Sequence, residues 1–145
     1  MRDIELEKVF FYQMEKMMKV VNDYTLTVFK ENNFPVTKDQ WVILKKVSES
    51  AGSTQKHIAD STFKDPAALT RILDLLVKKG FVQRQSSMED RRAFEIGLTV
   101  DGSRLVNRMT PIVQEIRAKA LAGISEEEER AVGNILEKMR QNIHQ

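Results

Sequence analysis

Residues 65–99 read DPAALTRILDLLVKKGFVQRQSSMEDRRAFEIGLT, and the fold turns on how this stretch divides. Asp65 carries a side-chain oxygen suited to cap a helix start. Pro66 suits the first helical position, where its fixed φ fits and its missing N–H is not needed. Leu69, Ile72, Leu73, Leu76 and Val77 then recur at helical spacing, and Gly80 stops the run after Lys79. Beyond Gly80 the pattern changes. Residues 81–85 are extended in character, residues 93–99 alternate apolar and polar, and the polar residues 86–92 lie between. Two short strands around a polar loop make a β-hairpin.

Working outward, Thr54 or Ser53 caps a short helix through Gln55, Ile58 and Ala59 to about Ser61, and residues 62–64 turn the chain. Before it, Thr37 and Gln40 form a capping box, in which each satisfies a backbone N–H of the other's turn. The helix that follows carries Trp41, Leu44 and Val47 to about Ser50, and residues 51–53 break it. Helix, short helix, tight turn, longer helix, hairpin is the order of a winged helix-turn-helix. Residues 37–99 are expected to form that lobe, with a two-stranded hairpin as its wing.

The flanks read as long helices. Over residues 4–32, Phe10, Met14, Met17, Val21, Tyr24 and Val28 are spaced alternately four and three apart, a heptad-like seam. Such a helix, roughly 40 Å long, needs other long helices or another chain to cover its stripe. From Thr99 the chain returns to helix through Leu105, Met109, Ile112 and Ile116, with Pro111 expected to kink it or loosen one turn and Gly123 to end it. Ser125 and Glu128 form a second capping box, and Val132, Ile135, Leu136, Met139 and Ile143 make the last stripe. Residues 1–36 and 100–145 are expected to build a helical dimerisation region, and the fold class is mainly α.

The chain has 145 residues, one domain's worth, and 41% of them are hydrophobic against 30% charged. It has no cysteine, which removes disulfides, thiolate metal sites and thiol nucleophiles from consideration. No apolar run reaches the roughly 18 residues of a membrane span. Three charges in the first five residues leave no apolar signal core, so no export signal is expected and a cytoplasmic setting is. No phosphate-cradling glycine loop, nucleophile elbow or tuned acid pair is present, which argues against an enzyme. His57 and His144 lie far apart with no acidic cluster beside them, and neither a metal nor another cofactor is expected.

Net charge is +2, but its distribution is uneven. Residues 53–94 carry 8 basic and 5 acidic side chains, a net of +3, whereas residues 1–36 and 95–145 each come to −1. A basic middle points to a polyanion. On the helix beginning at Pro66 the apolar residues face inward, so Ala67, Thr70, Arg71 and Asp74 face outward. Small or hydrogen-bonding residues near the start of such a helix suit entry into a major groove about 12 Å wide. In the hairpin loop, Asp90 can hold the guanidinium of Arg91 or Arg92, and one of those arginines can reach into a minor groove. Lys56 and Lys64 are candidate phosphate contacts, Thr54, Gln55 and Ala68 lie on the same expected surface, and Arg84 could serve the phosphate backbone or merely decorate a strand. Each cation has a plainer reading as a solvated charge. Arg71, for one, could pair with Asp74 or Asp65.

The sequence resembles the MarR family of bacterial regulators. The resemblance is sharpest in Thr70-Arg71-Ile72-Leu73-Asp74 through Lys79-Gly80-Phe81-Val82, in Glu89-Asp90-Arg91-Arg92, and in Leu98-Thr99 with Asp101-Gly102. It implies a homodimeric transcription factor, a repressor whose two lobes grip a pseudo-palindromic operator in double-stranded DNA. Members often release DNA on binding a small, frequently aromatic or phenolic anion. Here a pocket among Met14, Met18 and Trp41 would be the candidate, although Met and Trp on apolar stripes are usually core. Two departures stand out. Ala67 and Ala68 occupy positions where relatives often carry hydroxyls, and the first helix lacks the cysteine by which one branch senses oxidants. The competing readings are a winged helix that docks proteins, or a small-molecule carrier without DNA affinity.

Overall fold

The computed structural model describes residues 4–86 and 94–144. The expected loop-tip residues Asp90, Arg91 and Arg92 fall outside them. A short 3-10 turn, Leu6–Lys8, leads to α1 (Phe10–Glu31), then α2 (Lys38–Glu49), β1 (Ser53–Thr54), α3 (Gln55–Thr62), α4 (Pro66–Lys78), β2 (Val82–Ser86), β3 (Phe94–Leu98), α5 (Val100–Ala120) and α6 (Glu126–His144). The chain divides into two compact units, residues 1–112 and 113–145. Among the described residues no helix is long and apolar enough to cross a membrane.

The expected helices form, with local corrections. The single helix expected over 4–32 begins only at Phe10, because Val9 is extended at φ −76°, ψ 122° and neither it nor Glu5 donates a side-chain cap. The other end of α1 follows a clear physical rule. Asn33 sits in the left-handed region at φ 54°, Phe34 N–H bonds to the carbonyl of Phe29 and Asn33 N–H to that of Lys30. Those bonds satisfy two otherwise orphaned carbonyls, and Asn tolerates the conformation better than most residues do. The capping box of α2 is complete: Thr37 accepts from Gln40 N–H, and Gln40 Oε1 accepts from Thr37 N–H at 3.0 Å.

The wing has one strand more than the sequence suggested. Ser53 and Thr54, expected as part of a break and a cap, pair antiparallel with β3 opposite Ile96 and Glu95. The sheet order is β1-β3-β2, and the hairpin register runs from Val82 opposite Leu98 to Ser86 opposite Phe94. Two residues are too few to show an alternating pattern, so the sequence offers no signal for β1. Thr54 both closes the strand and caps α3, its hydroxyl accepting from His57 N–H at 3.2 Å.

One core fills the unit of residues 1–112. Ile43, Leu44 and Val47 from α2, Ile58 from α3, Leu69, Leu73 and Leu76 from α4, Val82 and Ile96 from the sheet and Met109 from α5 are all essentially inaccessible. Val77, expected on the inward face of α4, remains 37% exposed. Only Thr25 and Phe29 of α1 are buried, and Phe29 stacks edge-on against Phe34 with ring centroids 5.3 Å apart. Arg108 of α5 lies 5.2 Å over the Phe34 ring, and Lys79 Nζ donates to the Pro35 carbonyl at 2.5 Å. Both contacts hold the α1–α2 connection to the lobe.

The tightest contact joins α4, the sheet and α5. Gly80, at φ 81°, closes α4 with bonds from Gly80 N–H to Val77 and from Phe81 N–H to Leu76. Thr99 then does two jobs with one hydroxyl. It donates to the Gly80 carbonyl at 2.5 Å and accepts from Gly102 N–H at 3.0 Å, capping α5. At Gly102 an added Cβ would stand 2.0 Å from the Phe81 carbonyl oxygen, well inside contact distance. Only glycine lets the first turn of α5 approach so closely. α5 runs helical from Val100 to Ala120 with Pro111 inside it.

In the unit of residues 113–145, Gly123 at φ 79° turns the chain between α5 and α6. Ser125 and Glu128 form the expected capping box, and the Ser125 N–H bond holds the Glu128 carboxyl below the usual carboxylate range. No residue of α6 is buried, and Val132, Ile135, Leu136 and Ile143 are all exposed.

Gly102→Ala tests the close approach. It should destabilise the protein by roughly 1–3 kcal/mol through overpacking against fixed backbone, measured by urea denaturation. An unchanged midpoint would mean that α5 can move away from Phe81 at little cost.

Candidate nucleic-acid interface

The exposed surface of the lobe is organised by α4. Asp65 Oδ1 accepts from Ala68 N–H at 2.9 Å, and Pro66 occupies the first turn, so the cap read from the sequence is present. With Leu69, Leu73 and Leu76 fully buried, Ala67, Thr70, Arg71 and Asp74 are left exposed on the opposite face, and Ala68 is half-buried beside them. This outward row begins with methyl groups and continues with a hydroxyl and a guanidinium.

Two cations have acidic partners that reassign part of their expected role. Arg84 on β2 pairs with Asp74 of α4, Nη1 to Oδ1 at 2.6 Å. That ion pair links the wing strand to the outward face of the helix. Lys64 pairs with Asp39 at the start of α2 at 3.3 Å. In both pairs the cation is half-buried and the acid exposed, and the pairing fixes where each charge sits. Lys56 is exposed on the first turn of α3. Arg71 is exposed on the second turn of α4.

Gln55 and Thr70, expected separately on this surface, are brought together. Gln55 Nε2 donates to Thr70 Oγ1 at 2.9 Å, and Thr70 Oγ1 donates to the Pro66 carbonyl at 2.8 Å. The pairing joins the start of α3 to α4 across 15 residues of sequence, a separation at which no helical or strand period links the two.

One residue of this surface was not anticipated. Phe63, in the turn between α3 and α4, has φ 48° and ψ 24° and is 95% exposed. A bulky side chain in the left-handed region is an outlier that local sterics disfavour. Composition offered no warning, since Phe ordinarily signals core.

The small-molecule candidates do not converge. Met14 and Met18 line a groove of about 600 Å³ along α1, with Phe11, Glu15, Lys19, Asn22 and Asp23 as its other walls. Trp41 is not among them. It is buried at 7% exposure within α2's core face. Among the described residues no group of three or more His, Asp or Glu side chains could hold a metal ion.

Comparison with known proteins gives this geometry a context. A family model described as MarR family matches residues 36–94. The chain is similar to MepR of S. aureus, solved as a DNA complex, at 24% identity and a TM-score of 0.83, covering 92% of this chain and 98% of that one. It is similar to the transcriptional regulator SlyA at 25% identity and a TM-score of 0.80, covering 92% of each. It is also similar to a MarR/EmrR family transcriptional regulator from Acinetobacter sp. ADP1 at 21% identity and a TM-score of 0.86, covering 97% of this chain and 99% of that one.

The turn at Phe63 generates a stability prediction. Phe63→Asn keeps the left-handed backbone with a residue that tolerates it, and removes a side chain that buries almost nothing. The substitution should stabilise the lobe by about 1 kcal/mol, read as a raised urea midpoint. A lowered midpoint would show that the phenyl ring contributes more than its exposure suggests.

Proposed function

We propose that the protein, whose residues 36–94 match the MarR family model, is a sequence-specific DNA-binding transcriptional regulator, a homodimeric cytoplasmic repressor whose operator binding responds to a small molecule. The observation that carries the reading is the outward face of α4. It is capped at its start, buries Leu69, Leu73 and Leu76 on its inner side, and presents Ala67, Ala68, Thr70 and Arg71 where a major groove would meet them. The MepR relative was solved with DNA.

In this mechanism cations and bases divide the work. Lys56, and Lys64 once it exchanges Asp39 for a phosphate, neutralise the backbone, releasing counterions and making affinity fall with salt. Arg71 donates to base edges, and the methyl groups of Ala67 and Ala68 can meet thymine methyls. Arg84, through Asp74, sets the wing strand against α4. Arg92, or Arg91, would enter the minor groove, with Asp90 to hold one guanidinium in place. Thr54 caps α3 and so directs Gln55 and Lys56 outward.

Residues 37–99 act as the DNA-binding lobe, and residues 1–36 and 100–145 as the dimerisation region. The exposed stripes of α1 and α6 support this division. Phe10, Met17 and Tyr24 on one, and Val132, Ile135 and Leu136 on the other, are accessible in a single chain. Helices with such stripes bury them against partners, and a second copy is the partner that a palindromic operator requires. Two lobes set by dimer symmetry would address half-sites about one helical turn apart. An effector that changes their spacing then changes affinity, since both lobes must dock together. The α1 groove beside Met14 and Met18 is the candidate effector site, its apolar wall of Phe11, Met14 and Met18 suiting an aromatic ring and Lys19, which must exchange Asp23 for the ligand, suiting its charge. Trp41, the third residue of the expected pocket, does not line it.

Fluorescence anisotropy tests the reading. The protein is titrated with duplex from its own upstream region and with a scrambled duplex, at two salt concentrations. Selective, salt-sensitive binding is expected, with release by some aromatic anions. Arg71→Ala and Arg92→Ala should each weaken operator binding by roughly 1–3 kcal/mol, and Lys56→Ala should lower the salt slope by about one. Absence of duplex binding at every salt concentration, with no sequence enriched from a random pool, overturns the proposal in favour of a protein-docking winged helix.

A further inference from the structure

The relay from Gln55 to Thr70 to Pro66 bears on how bases are told apart. Thr70 Oγ1 donates its single proton to the Pro66 carbonyl at 2.8 Å, so towards any other group it can only accept. Gln55 Nε2 fills that role at 2.9 Å. A free glutamine amide can flip and exchange its nitrogen and oxygen, matching opposite donor and acceptor patterns equally well. Here the hydroxyl will not tolerate the oxygen end. The amide is therefore locked with its nitrogen on Thr70, and among the described residues no donor engages Oε1.

Resting on the DNA-binding reading above, we propose that Gln55 is a specificity-determining residue selective for adenine, and that Thr70 is its positioning residue rather than a base reader itself. The locked amide retains one acceptor, Oε1, and a second N–H. In the major groove adenine offers the complement, an N6–H donor beside the N7 acceptor, whereas guanine offers two acceptors, O6 and N7. Against guanine the fixed Oε1 would face a lone pair. Placement agrees with this role. Thr70 shares the outward face of α4 with Ala67, one turn nearer the helix start, and Arg71 is its neighbour, so the amide stands at the same surface. The methyl group of Ala67 leaves room beside it that a longer side chain would occupy. Base reading is thus shared between two helices, with α3 supplying the amide and α4 holding it.

Selection from a random duplex pool, followed by anisotropy on the selected duplex with single base-pair exchanges, tests the assignment. Wild-type protein should show an A·T position in each half-site where exchange to G·C costs between about fivefold and a hundredfold in affinity. Gln55→Ala should abolish the preference at that position and leave the other positions as they were. Thr70→Val, which keeps the shape and removes the hydroxyl, should abolish it at the same position, and Thr70→Ser should retain it. Replacing that adenine with 7-deazaadenine should weaken wild-type binding and leave Gln55→Ala unaffected. Equal thermal midpoints across the variants would separate these effects from unfolding. The assignment is overturned if Gln55→Ala leaves every base preference intact, or if Thr70→Val alters a different position from Gln55→Ala. Wild-type protein that enriches no sequence instead overturns the DNA-binding reading, and this proposal with it.

Discussion

The hydroxyl of Thr99 and the bare Cα of Gly102 meet the backbone at the end of α4 in one small region, and the rest of the lobe is arranged around that meeting. Thr99 donates to the Gly80 carbonyl while capping α5 at Gly102 N–H. Gly102 allows α5 to come so near the Phe81 carbonyl that no side chain could intervene. Three elements are fixed at once: where α4 stops, where β2 begins, and the line along which α5 leaves. Because the peptide groups here are backbone, the contact depends on shape and little on which apolar residues surround it. The outward face of α4 takes part of its angle from this point, since the end of the helix is tied to α5 through Thr99, while the Asp65 cap fixes where the helix begins.

Charge on the exposed surface is used in two ways. Lys64 and Arg84 bind acids of their own chain, Asp39 and Asp74. Arg71 and Lys56 are exposed to solvent. The first pair of cations therefore shapes the surface, and the second adds to its field. A count of basic residues alone, the net of +3 over residues 53–94, does not distinguish the two. The distinction matters because a cation already facing an acid must exchange one partner for another before it can meet a phosphate.

Much of the lobe was legible because its signals are local. Thr37 with Gln40, Asp65 with Pro66, and Gly80 each declare a helix end through the backbone groups they satisfy, and all three ends fall at or next to the expected residue. The hairpin was legible from its alternation. What could not be read depends on partners distant in sequence. β1 is two residues long and exists only because β3 passes beside it. α1 starts at Phe10, where the seam itself starts, and not at residue 4; residues 4–9 contain no proline or glycine to mark the break, and the extended backbone of Val9 leaves no sign in the sequence. Phe63 offered no sign of its exposure or of its left-handed backbone. Gln55 and Thr70 could each be assigned to the surface, but their hydrogen bond could not, because it depends on how α3 crosses α4.

The connection between α1 and α2 carries a different consequence. Its backbone is short, and the groups that hold it come from far along the chain: Lys79 reaches the Pro35 carbonyl across 44 residues, and Arg108 covers the Phe34 ring from further still. Neither group can arrive until α4 and the start of α5 have been gathered against α2. Contacts of such long sequence separation cost loop-closure entropy before they return any energy. The order of this short segment is thus a late product of folding, and its protection against hydrogen exchange would serve as a clock for completion of the whole lobe.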